Sequence, residues 1–113
     1  MLVELRTYTF EAGALPVFLA AYRAGPDRLQ ESILGDRVGY YVAETGDVNE
    51  LVHLWRYESF EDRRARRAEL AARPEWADFL RGILPLLKSQ QSRILTPVEL
   101  PHAVSQTQQQ ADG

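Results

Sequence analysis

Two stretches of this chain alternate their side chains with a period of two, and in each the alternation separates an ordinary apolar set from an unusual one. From Leu2 to Phe10, Val3, Leu5 and Thr7 interleave with Glu4, Arg6 and Tyr8; from Glu50 to Tyr57, Val52 and Leu54 interleave with Leu51, His53, Trp55 and Tyr57. A period of two is that of a β-strand, whose successive side chains leave on opposite faces. Val3, Leu5, Val52 and Leu54 make the natural face for helices to cover. That assignment sends the carboxylate, guanidinium, imidazole, phenols and indole to the opposite side. Such a face is too aromatic to stand in water and too polar for a dry core. A partly solvated cavity closed by a second copy of the chain reconciles the two, so the pattern predicts a homodimer joined sheet to sheet.

The segments between these strands read as helices and one further hairpin strand. After the turn at Gly13, Leu15, Phe18, Leu19 and Tyr22 recur at helical spacing, with Pro16 suited to a first turn; Gly25-Pro26 breaks this helix, and a second piece through Leu29 and Ile33 stops at Gly35. Arg37 to Glu44 is rich in β-formers and joins Glu50 to Tyr57 through the turn residues Thr45 to Asn49. Ser59 followed by Asp62 is a capping-box variant opening a helix through Leu70, and Pro74 opens another, striped by Trp76, Phe79, Leu80 and Ile83 and ended at Pro85. Lys88 to Thr96 is the last strand. The order β, α, β, β, α, β predicts the α+β class and a ferredoxin-like βαββαβ protomer, in which the first and third strands lie side by side at the centre of an antiparallel sheet. Residues 1–100 then form one domain, and 101–113, without periodicity or much to bury, are expected to be a tail.

Composition removes several functions. With 113 residues there is room for one core, and a formal net charge of -3 gives no attraction to nucleic-acid phosphates. The chain has no cysteine, which excludes disulfides, thiolate metal sites and cysteine nucleophiles and suits the reducing cytoplasm. No apolar run approaches the ~20 residues needed to cross a bilayer, and the N-terminus lacks the pattern of a signal peptide. A soluble, cytoplasmic protein with neither nucleic-acid nor membrane partners is expected. Glycine-rich phosphate loops, nucleophile elbows and H-E-x-x-H are absent, and only His53 and Glu4 could ligate a metal on the unusual face, so no cofactor and no metal are expected.

The candidate chemistry lies in the strand residues. Arg6 would orient an anionic or carbonyl oxygen with its planar fork, His53 would exchange a proton with the ligand, and Glu4 would fix the imidazole tautomer, raise its pKa or act in its place. Tyr8, Tyr41, Trp55 and Tyr57 would bind the substrate. The competing reading makes Glu4, Arg6 and His53 a buried ion-pair and hydrogen-bond network that only sets the dimer register. Arg63, Arg64, Arg66, Arg67 and Arg73, interleaved with Glu61, Asp62, Glu69 and Glu75, read as a solvated, salt-bridged helix rather than an anion site.

Several motifs together resemble the NIPSNAP family from about Leu2 to Pro97. Val3 to Thr9 is similar to its E-x-R-x-Y opening, Gly39-Tyr40-Tyr41 to its second strand, and Asn49 to Tyr57 to its N-x-x-x-H-L-W-x-Y signature. Asp62-Arg63 with Arg66, Pro74-Glu75-Trp76 with Phe79, and Ile94 to Pro97 continue the likeness in order. The resemblance implies a ferredoxin-like protomer of the dimeric α+β-barrel superfamily. That superfamily includes cofactor-free monooxygenases, cyclases, isomerase-like proteins and haem-degrading enzymes, so the fold does not choose a reaction. Two functions follow as expectations: a cofactor-free enzyme doing acid–base chemistry on a carbonyl-bearing or aromatic substrate, or a non-catalytic dimer that binds a small molecule or serves as an interaction module.

Overall fold

The computed structural model describes residues 1–101. The tail expected from Pro101 onward therefore lies, but for its first residue, outside the described residues. Four strands, β1 (Leu2–Phe10), β2 (Asp36–Val42), β3 (Glu50–Tyr57) and β4 (Leu87–Leu95), form one antiparallel sheet in the order β2-β3-β1-β4. The two alternating segments are its central pair, with Glu4 opposite Trp55, Arg6 opposite His53 and Tyr8 opposite Leu51. Helices α1 (Ala14–Arg23) and α2 (Pro26–Leu34) connect β1 to β2, and α3 (Phe60–Ala71) and α4 (Pro74–Ile83) connect β3 to β4, the latter through a single tight turn, Leu84–Leu86, that contains Pro85.

Local chemistry explains the breaks. Gly25, at φ 155°, separates α1 from α2, and Pro26 starts α2 where a missing N–H costs nothing. Gly35 closes α2 at φ 93°, a conformation in which a Cβ is strained. Ser59 caps α3 by accepting from the Asp62 N–H at 3.0 Å, as its spacing predicts; the Asp62 carboxylate accepts from the Glu58 N–H at 3.0 Å, one residue further back than in the standard box. Among the described residues, no helix is long and apolar enough to cross a membrane.

The face assignment expected from the sequence is reversed. All four helices lie on one side of the sheet, and it is Leu2, Glu4, Leu51, His53, Trp55 and Tyr57 that are buried beneath them. Val3, Leu5, Val52 and Leu54 are only half-buried, on the face that none of the described helices covers. The reason is in α3: Arg63 reaches down to donate to the Glu4 carboxylate from Nε at 3.1 Å and from a terminal nitrogen at 2.9 Å. A buried carboxylate needs such donors, and the helix layer supplies them within the same chain.

Candidate ligand pocket

Between sheet and helices the structure leaves a cavity of about 200 Å³. One wall is apolar, built by Phe18 of α1 and by Trp76, Phe79 and Leu80 of α4; Phe18 and Tyr22 stack with ring centroids 5.6 Å apart, and Trp76 lies 5.1 Å from Phe79. The polar wall comes from the strands and α3: Arg6, Tyr8, Tyr40, Gln90 and Arg67. At the α2 end, Tyr22 and Tyr40 both donate to the Gln30 side-chain oxygen, at 2.5 and 2.7 Å. Burial raises the pKa of both phenols, so each remains a donor.

Glu4 organises the charged end. Its side chain is fully buried and accepts from Arg6 at 3.0 Å, from the Arg63 fork and from the Ser92 hydroxyl at 2.5 Å. Burial alone would push its pKa up, but the hydrogen bonds from Arg63 and Ser92 and the charges of Arg6 and Arg67 outweigh it and hold the carboxyl at about 2. Arg6 also donates from Nε to the Tyr8 hydroxyl at 3.3 Å, and its ring of contacts keeps it charged. Arg67 lines the cavity, half-buried, and forms no ion pair among the described residues. Three guanidiniums, Arg6, Arg63 and Arg67, thus surround one carboxylate.

His53 is fully buried. Its ring is stacked on Tyr40 at 4.5 Å and meets the edge of Tyr8 at 4.8 Å. The Trp55 indole N–H donates to Nδ1 at 2.8 Å, and burial, reinforced by the Arg6 charge against that of Glu4, depresses the imidazole pKa to about 3. The ring is therefore neutral near pH 7 with its proton on Nε2, which has no hydrogen-bond partner among the described residues. It is Trp55 and not Glu4 that sets the tautomer, and the pKa moves down where the sequence suggested it could move up. The Tyr57 hydroxyl, in the same buried layer, makes no hydrogen bond of ordinary geometry among the described residues, and burial raises its pKa against the nearby Arg67 side chain, which favours the charged form.

Glu4, Arg6, Tyr8, His53, Trp55 and Tyr57 are thus gathered as their spacing predicts, but only Arg6 and Tyr8 reach the cavity surface; the other four lie in the layer against it. Tyr41 is elsewhere: it pairs with Val52 on the open face and is 56% exposed, while its neighbour Tyr40 pairs with His53 on the helix side. A bulge in β2 between Arg37 and Gly39 shifts the register on which that choice depends. Tyr22, Gln30, Tyr40, Arg67, Trp76 and Phe79 were not singled out from sequence as site residues. The solvated-helix reading of α3 holds for Arg64 on Glu61, Arg66 on Asp62 and Arg73 on Glu69, and fails for Arg63 and Arg67. Those two, four residues apart, share a stripe with the buried Leu70, seven and three residues further on, a pattern that marks an inward face. Among the described residues no group of three or more His, Cys, Asp or Glu is arranged to hold a metal ion.

Sheet order, helix placement and the cavity between them define a ferredoxin-like α+β domain with an internal polar-aromatic pocket. A family model described as NIPSNAP matches residues 3–101, and the chain belongs to that family. A NipSnap homologue of Dictyostelium discoideum is 33% identical over 97 residues, which are 86% of this chain and 43% of that protein. A NipSnap protein of Caenorhabditis elegans is 30% identical over 85% of this chain and 18% of its own length, so the chain spans less than half of these curated relatives. Among solved structures, a protein of Agrobacterium tumefaciens superposes with a TM-score of 0.86 at 39% identity, covering 88% of this chain and 96% of that one. A NIPSNAP-like domain protein of Burkholderia xenovorans gives 0.84 at 38%, over 88% and 86%. An antibiotic biosynthesis monooxygenase gives 0.60 at 16% identity, over 88% of this chain and 100% of that one, a likeness of fold alone.

Proposed function

We propose that the chain binds a small, largely apolar molecule carrying an anionic or carbonyl oxygen, and that its site is the pocket between sheet and helices rather than a cavity between two sheets. The observation that carries this reading is the cluster of Arg6, Arg63 and Arg67 around the lone Glu4 carboxylate, at one end of an aromatic-walled cavity of about 200 Å³. Arg6 keeps the orienting role expected of it. Titration of the ¹⁵N-labelled protein with a panel of single-ring ketones, phenols and carboxylates should shift the amides of Tyr8, Arg67 and Phe79. Binders that shift only open-face strand residues, or a panel with no binder, would overturn the reading.

A catalytic version is favoured by one contact. The Tyr8 hydroxyl stands at the pocket surface and accepts from Arg6, whereas the protons of Tyr22 and Tyr40 are committed to Gln30. Proton transfer to or from an enolisable carbonyl would then run through Tyr8, with Arg6 holding the developing oxyanion, and His53 and Glu4 would not exchange the proton. Tyr8→Phe should abolish turnover of such a substrate while ligand affinity stays within about threefold of wild type; equal loss in both would assign Tyr8 to binding alone.

The same reading takes the protein as a cytoplasmic homodimer joined through the open sheet face. Val3, Leu5, Val52, Leu54 and Tyr41 give that face an apolar centre without a helix over it. Sedimentation of wild type at micromolar concentration should give a dimer, and Leu5→Lys with Leu54→Lys a folded monomer. A monomeric wild type would refute the assembly and leave the pocket reading intact.

A further inference from the structure

Resting on the pocket reading above, we infer that the pocket selects a carboxylate on a body of single-ring size, seated between Arg6 and Arg67 and receiving a third hydrogen bond from Nε2 of His53, which acts as a neutral donor. Three independent features lead there. First, the charged end is short of anion: Arg6 and Arg63 share Glu4, and Arg67 lines the cavity without an acidic partner among the described residues. A planar carboxylate matches guanidinium forks, which a neutral carbonyl does only in part.

Second, the orphan at His53 has a defined sense. Trp55 occupies Nδ1 as a donor, so the neutral ring must carry hydrogen on Nε2, and that buried N–H has no acceptor among the described residues. Buried donors in folded proteins are almost always satisfied, which points to a missing acceptor atom rather than a missing proton source. His53 stands directly across the ladder from Arg6, and its ring is bracketed by Tyr8 and Tyr40, both of which line the cavity. His53 itself lies behind the cavity lining, so an oxygen bound at Arg6 meets Nε2 only by entering between those two phenols. The Glu4 oxygens are engaged by Arg6, Arg63 and Ser92, so the charged end offers a ligand donors rather than its one carboxylate. Third, the size is restrictive. A cavity of roughly 150 Å³ holds one benzene molecule, so about 200 Å³ seats one ring with a small head group and leaves the rest of a fused-ring or long-chain ligand outside the mouth.

The test uses the intact protein with benzoate, benzamide and 2-naphthoate as probes. Benzoate should bind at least tenfold more tightly than benzamide, which has the same shape but replaces one acceptor oxygen with a donor, and more tightly than the oversized 2-naphthoate. Arg67→Met should weaken benzoate by at least tenfold and benzamide by much less, so that most of the benzoate preference is lost. ¹⁵N-histidine spectra read His53 directly, since the chain has only two histidines. Its ring should show the Nε2–H tautomer and no titration from pH 8 to pH 5. The groups facing it, Glu4, Arg6 and Tyr8 from β1, Tyr40 from β2, Tyr57 from β3 and Arg63 and Arg67 from α3, should give it no half-protonation point in that range. The Nε2 signal should move on adding benzoate. Equal affinity for benzamide would overturn the carboxylate assignment, and so would failure of benzoate while other panel members shift Tyr8 and Phe79; both leave the pocket reading standing. An unmoved Nε2 signal with benzoate bound would remove His53 from the site, and silence from every panel member would refute the pocket itself.

Discussion

Replacing Glu4 by Gln isolates the charge at the centre of this site, because glutamine has the shape of a carboxyl that is permanently protonated. In the folded protein the carboxyl sits at about 2 against an ordinary value of 4.5, the net result of burial opposed by Arg63, Ser92, Arg6 and Arg67. A depressed folded pKa contributes stability that is present in full above the unfolded value and lost as pH falls through the folded one. With 1.36 kcal/mol per pH unit, the carboxylate is worth about 3 kcal/mol at pH 7 and roughly half that at pH 3. Urea denaturation of wild type and Glu4→Gln should therefore differ by about 3 kcal/mol at pH 7, with the gap narrowing from about pH 4.5 downward. His53, depressed from 6.5 to about 3, loses stability over an overlapping range, so only matched pairs at each pH isolate Glu4. That loss is a large share of the ~5–15 kcal/mol typical of a domain, yet leaves it folded. A gap under 1 kcal/mol at pH 7, or one that does not change with pH, would show that Glu4 is not the hub of the network.

Gln30→Leu leaves the Tyr22 and Tyr40 hydroxyls without their shared acceptor and should cost about 2 kcal/mol in the same assay; no loss would mean the phenols find other partners. Gly35→Ala forces a Cβ into a φ of 93° with the Arg66 guanidinium 2.8 Å away, and should lower stability by about 1–2 kcal/mol, seen as a drop of several degrees in melting temperature. An unchanged melting point would show that the end of α2 relaxes freely.

The fold was legible because its signals are local. Period-two alternation gave β1 and β3 their limits, Gly25-Pro26 and Gly35 gave α2 its ends, and Ser59 gave α3 its start. β2 was set as Arg37 to Glu44 and is Asp36–Val42, because the bulge at Val38 and the pairing of Ala43 beyond the strand depend on β3 rather than on β2's own residues. The same bulge decides that Tyr40 and not Tyr41 faces the helices, which no pattern within Gly39-Tyr40-Tyr41 records. Arg67 and Gln30 were hidden for a related reason: each is an ordinary polar helix residue until the angle of its helix over the sheet is known.

The reversed faces show what decides such cases. Hydropathy assigns Val3, Leu5, Val52 and Leu54 to the core and Glu4, Arg6 and His53 away from it, and the assignment fails because desolvation is only half of the free energy of a buried charge. The other half is what the cover can donate. A helix layer of aliphatic side chains would indeed reject Glu4, but α3 carries Arg63 and Arg67 on the same stripe as Leu70, so it brings guanidiniums and apolar contact together. The aromatic members of the set, Tyr8, Trp55 and Tyr57, then gain the dry side, where their burial is worth far more than on an open sheet. Read jointly, an acidic residue on a strand and two arginines four apart on a helix with an apolar residue three further on specify a helix-covered polar face. The face left over pairs Val3, Leu5, Val52 and Leu54 with Thr7, Gln91 and Arg93, groups that water can satisfy, so it needs no donor layer above it.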